Sequence, residues 1–81
     1  MGKSFTISYE GEKRNLSFKK AATDPLTFDV EVEDSLLASI FGSGIIYLNG
    51  VAHPTKGTMP LNELEIKLLK DIYQKILELD N

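Results

Sequence analysis

The chain has no cysteine and no tryptophan, three prolines and a single histidine. Without cysteine there is no disulfide, no thiolate nucleophile and no thiolate-ligated zinc, and the small secreted domains that depend on cross-links are a poor match. One histidine cannot assemble a metal site by itself. No apolar stretch of signal-peptide length opens the sequence, and no run approaches the roughly 20 residues that span a bilayer. These absences predict a soluble, cytoplasmic protein with no membrane partner. At 81 residues the chain is too short to divide into two parts that each bury a core, so one domain over residues 1–81 is expected.

What is present is an ordinary globular mixture, 42% hydrophobic and 26% charged. The net charge of −3 is unevenly spread. Lys3, Lys13, Arg14, Lys19 and Lys20 dominate the first twenty residues, whereas Asp24, Asp29, Glu31, Glu33 and Asp34 make the next twenty acidic. Opposite charges on neighbouring strands help to set register, and that is the reading the distribution favours. The acidic total and the lack of aromatic residues among the basic ones speak against nucleic acid as a partner.

Alternation of apolar and polar residues marks the strands. Phe5, Ile7 and Tyr9 alternate with Thr6 and Ser8, Leu16 and Phe18 with Asn15, Ser17 and Lys19, and Leu26, Phe28, Val30 and Val32 with Thr27, Asp29, Glu31 and Glu33. Glu10-Gly11-Glu12 supplies a turn between the first two, and Ala21 to Pro25 should break the ladder. Asp34 or Ser35 can cap a short helix carrying Leu36, Leu37, Ile40 and Phe41, with Gly42 at its exit. Ile45 to Leu48 reads as a strand, Asn49-Gly50 as a hairpin turn, and Val51 to His53 as a short return strand that Pro54 stops or pushes to an edge.

From Leu61 to Leu79 the period changes to that of an α-helix. Asn62 and Glu65 have the spacing of a capping box, with Leu61 and Ile66 placed for a hydrophobic staple. The predicted fold is therefore α+β in two layers. It has a small, mostly antiparallel sheet of four to five strands, over about 3–9, 14–20, 26–33, 45–48 and optionally 51–53. A short helix at about 35–41 and a long C-terminal helix at about 63–79 pack on one face.

Motifs for chemistry are weak. Gly42-Ser43-Gly44 lacks the endings of a Walker or dinucleotide-binding loop, and Thr55-Lys56-Gly57-Thr58 resembles a phosphate loop in composition only. Asp29, Glu31 and Glu33 stand almost 7 Å apart along one strand face, too far for all three to ligate one cation. A myristoylation template at Met1 to Thr6 includes Phe5, which alternation assigns to a core strand, and a glycosylation template at Asn15-Leu16-Ser17 lacks a secretory signal. No cofactor, metal site or catalytic residue is predicted. If a small-ligand or catalytic site exists, Ser43, Tyr47, His53 and Lys56, with Gly42 and Gly44, are its candidates.

The long helix offers the sharper expectation. At 100° per residue, Leu64, Leu68, Leu69, Ile72, Ile76 and Leu79 form one stripe, and Ile66, Tyr73 and Leu77 widen the apolar arc to roughly 220°. One sheet needs a stripe of about 100° or somewhat more. The flank of Ile66, Tyr73 and Leu77 must then be covered by the short helix, through Leu37 and Phe41, or by a second protein molecule. The expected function is a non-enzymatic protein-interaction domain, binding a protein partner or forming a homodimer through this flank or through an added strand.

Overall fold

A computed structural model describes residues 2–56 and 60–80 of the chain. In chain order they form β1 (Lys3–Tyr9), β2 (Glu12–Thr23), β3 (Leu26–Val32), α1 (Ser35–Phe41), β4 (Gly44–Leu48), β5 (Val51–Pro54) and α2 (Glu63–Asp80). The five strands make one antiparallel sheet in sequence order, so β1 and β5 are its two edges. This is the α+β arrangement that strand periodicity followed by helix periodicity predicts.

Local chemistry explains the boundaries. Glu10 and Gly11 both have positive φ, 51° and 77°, as do Asn49 and Gly50 at 52° and 86°, so each outer hairpin closes through a two-residue turn of the type that suits strand twist. Asp34 caps α1, its Oδ2 accepting from the N–H groups of Leu36 and Leu37 at 3.0 Å each. The other oxygen, Oδ1, lies 3.5 Å from Arg14, tying β2 to the start of α1. The capping box of α2 is reciprocal. Glu65 N–H donates to Asn62 Oδ1 at 2.8 Å, and Asn62 N–H donates to Glu65 Oε1 at 2.9 Å.

The second strand does not stop at Lys20 but runs to Thr23, and the disturbance expected between Ala21 and Pro25 is a register shift between Lys20 and Ala22. An extra residue in one strand is absorbed as a local bulge, after which pairing resumes at Ala22 opposite Thr27. The Asp24–Pro25 peptide bond between the two strands is cis. Pro54 ends the return strand on an edge, as expected. There a missing N–H interrupts no ladder bond.

Both helices cover the same face. Phe5, Leu16, Phe18, Phe28, Val30, Val32, Ile45 and Tyr47 from that face meet Leu37 and Phe41 of α1 and Leu68, Leu69, Ile72 and Ile76 of α2 in one buried cluster. Phe5, Phe18 and Phe28 make successive edge-to-face contacts across three strands, with ring centroids 5.7 and 5.9 Å apart. The C-terminal end of α2 is held over β1 and β2, where Lys3 Nζ donates to the Leu79 carbonyl and Lys20 pairs with Asp80 at 2.9 Å. Among the described residues no helix is long and apolar enough to cross a membrane.

Candidate functional site

The flank of α2 divides. Tyr73 stacks on Tyr47 with ring centroids 5.0 Å apart, meets Phe28 edge-on at 6.2 Å, and lies against Gly50, where an added Cβ would come within 3.8 Å of its hydroxyl. Leu77 also packs against the core. Ile66 stays 44% exposed at the mouth of a crevice of about 330 Å³ between α2 and the β4–β5 hairpin, lined also by Ala52, Leu69, Lys70 and Gln74. Leu37 and Phe41 of the short helix are fully buried in the core, and strands β3 and β4 supply the aromatic partners of Tyr73.

Leu64, assigned by periodicity to the core stripe, is 69% exposed. A helix of 18 residues runs about 27 Å, whereas the axes of five strands span about 19 Å, so a helix lying across them overhangs. The first turn, with Leu64 and Ile66, is the exposed part.

Tyr47 forms the buried anchor of this region. Its hydroxyl donates to the Leu69 carbonyl at 2.7 Å, and burial pushes its phenol pKa up. His53, by contrast, is exposed on the opposite face of the sheet. The hairpin register pairs Tyr47 with Ala52 and Ile46 with His53, and side chains alternate between faces, so Tyr47 and His53 point apart. Ser43 lines an open trough of about 520 Å³ on the uncovered face, with Ser17, Lys19, Asp29, Glu31 and Thr55. Lys56 Nζ donates to the Ser39 carbonyl at 2.7 Å. The structure therefore does not gather Ser43, Tyr47, His53 and Lys56 into one cavity.

Within the glycine loop two N–H groups are already engaged. Gly42 donates to the Ala38 carbonyl and Gly44 to Thr55 Oγ1. Gly57 and Thr58 of the neighbouring loop, like Met1 of the myristoylation template, lie outside the described residues.

At the two sheet edges the hairpin turns fix which backbone groups face outward. Residues flanking a two-residue turn exchange hydrogen bonds, and bonded pairs then alternate along an antiparallel ladder. Tyr9 and Glu12 flank the first turn, so Tyr9, Ile7, Phe5 and Lys3 bond to β2, and Ser4, Thr6 and Ser8 aim N–H and C=O away from it. The Asn15 carbonyl confirms the parity. Asn15 stands opposite Thr6 and accepts from Glu33 and Asp34 on the β3 side. No group among the described residues bonds the outward groups of Ser4, Thr6 and Ser8.

At the other edge Leu48 and Val51 flank the turn, so Ala52 and Pro54 face outward, as Thr55 donating to the Gly44 carbonyl requires. Proline has no N–H, which leaves Ala52 as the single outward donor of β5. The signal for both edges was present in Glu10-Gly11, Asn49-Gly50 and the strand parities. Comparison with known protein families, curated proteins and solved structures finds no match.

Proposed function

We propose that this chain is a non-enzymatic protein-interaction domain of the cytoplasm that works by accepting an extended strand along β1. One observation carries the reading: three N–H and three C=O groups, on Ser4, Thr6 and Ser8, face outward along an edge of seven residues with a single charged side chain, Lys3. Long, nearly uncharged edges are templates for pairing with another chain, and strand addition is an established mode of peptide recognition. The cytoplasmic setting rests on the lack of cysteine.

The test is amide NMR of the chain titrated with a blocked eight-residue peptide of alternating threonine and valine. Shifts confined to the Ser4, Thr6 and Ser8 amides are expected, and Thr6→Pro, which removes an outward N–H without breaking a bond to β2, should abolish them. Shifts at Ile66, Leu69 and Tyr73 alone would overturn the edge reading. They would instead favour the second one, supported by the half-exposed Ile66, in which the α2 crevice receives an apolar side chain of a protein partner.

A further inference from the structure

We infer that the strand β1 accepts is β1 of a second copy of this chain, paired antiparallel with Thr6 opposite Thr6, so that two five-stranded sheets become one of ten strands. The inference rests on the strand-accepting reading of β1 and names its partner.

Hydrogen-bond parity selects the register. A new ladder can form only between residues whose N–H and C=O groups point outward, which on both copies are Ser4, Thr6 and Ser8. Antiparallel alignment about Thr6 sets Ser4 opposite Ser8 and Thr6 opposite itself, and it overlaps the whole of Lys3–Tyr9. A shift by one residue would oppose outward groups to groups already bonded to β2. A shift by two keeps the parity but shortens the overlap.

The side chains agree with this register. Lys3, Phe5, Ile7 and Tyr9 all lie on the helix-covered face, and the alignment opposes Phe5 to Ile7 and Lys3 to Tyr9, so the covered faces of the two copies join. Ile7 and Tyr9 are only partly buried within one chain, at the end of the sheet face where β1 runs out. A second copy brings Phe5 and the Lys3 end, with the last turn of α2 above it, alongside them. The two helix ends do not collide, because Lys3 of one copy and Lys3 of the other are about 20 Å apart along the strands.

Charge favours the antiparallel sense as well. It places Glu10 of one copy opposite Gly2 of the other, next to Lys3, so an acidic turn meets a basic strand start. Parallel pairing would bring the two Lys3 ends together and the two Glu10 turns together, and would put the covered faces on opposite sides of the joined sheet.

Sedimentation velocity of the full chain, from micromolar to several hundred micromolar, tests this. The mass should rise from 9.0 kDa towards about twice that value. Thr6 is exposed on the uncovered face, so Thr6→Lys and Thr6→Glu should keep the thermal melt of the parent, while each weakens self-association by at least about tenfold through like charges at the two-fold axis. An equimolar mixture of the two variants should restore a dimer, because only this register places residue 6 against residue 6. A dimer unaffected by either variant, or a mixture that stays monomeric, overturns the inference. A parent chain that is monomeric throughout also overturns it, yet leaves strand acceptance standing if the threonine-valine peptide still shifts Ser4, Thr6 and Ser8. Amides that respond to neither would sink both.

Discussion

The two outer hairpins, β1–β2 and β4–β5, use the same turn and end differently. Each closes through two residues of positive φ, and each leaves one strand on an edge of the sheet. β5 is four residues long, ends in proline and offers one outward donor, while its turn lies against Tyr73 of α2. β1 is seven residues long, contains no proline and offers three. Identical turn chemistry thus fixes hydrogen-bond parity in both. Length and a single proline decide whether the resulting edge is blunted or open.

If β5 is the edge held by the helix layer, the largest effect should come from Tyr73→Ala, which removes the ring stacked on Tyr47. A loss of about 3 kcal/mol in urea unfolding is expected, against about 1 kcal/mol for Tyr9→Ala, whose ring has no aromatic partner among the described residues. Equal costs would erase the asymmetry between the hairpins.

Tyr47 gives the comparison a pH signature. Its folded-state pKa lies above the unfolded value near 10, so above pH 10 the folded state holds a proton that the unfolded state has released. Stability should be unaffected by this group below that pH and should fall as pH rises beyond it, by up to about 1.4 kcal/mol per pH unit. Tyr47→Phe should remove that slope and cost about 1 kcal/mol at neutral pH through the lost bond to the Leu69 carbonyl. Chemical unfolding at a series of alkaline pH values reads both.

The turns themselves should behave alike. Gly11→Ala meets open space and Gly50→Ala meets only ordinary contact with Tyr73, so each should cost about 1 kcal/mol from positive φ alone. A much larger loss at Gly50 would show that Tyr73 presses on the turn. The smallest effect should be a gain. Glu10 occupies a left-handed position where asparagine is at ease, and Glu10→Asn should raise stability by about 0.5 kcal/mol in the same unfolding measurement.

Much of this was legible in the residues, because the signals are local. Alternation from Leu26 to Val32, the capping box at Asn62 and Glu65, and Asn49-Gly50 each specify a short stretch through contacts within that stretch. The proposed self-pairing edge also follows from local terms, once Glu10-Gly11 is taken as a two-residue turn and the parity counted from Tyr9. One misplaced expectation concerned contacts between distant segments, the other a local register that was not counted. Leu64 has the right helical phase for the core but lies on the overhanging first turn, and periodicity carries no information on where the sheet ends. Tyr47 and His53 look adjacent in a hairpin, yet the two-residue Asn49-Gly50 turn pairs Tyr47 with Ala52 and so sends His53 to the opposite face.

Taken alone, the sequence determined the element order, the turns, the caps and the parity of each strand, since hydrogen-bond geometry and side-chain alternation act over a few residues. Only the tertiary structure decided what the wide apolar surface of α2 faces. Phe28 and Tyr47 cover Tyr73 because the helix runs across the strands above the paired row of Ala52, Tyr47, Phe28 and Lys20. That crossing is set by how the whole core packs, and no stretch of the chain encodes it by itself.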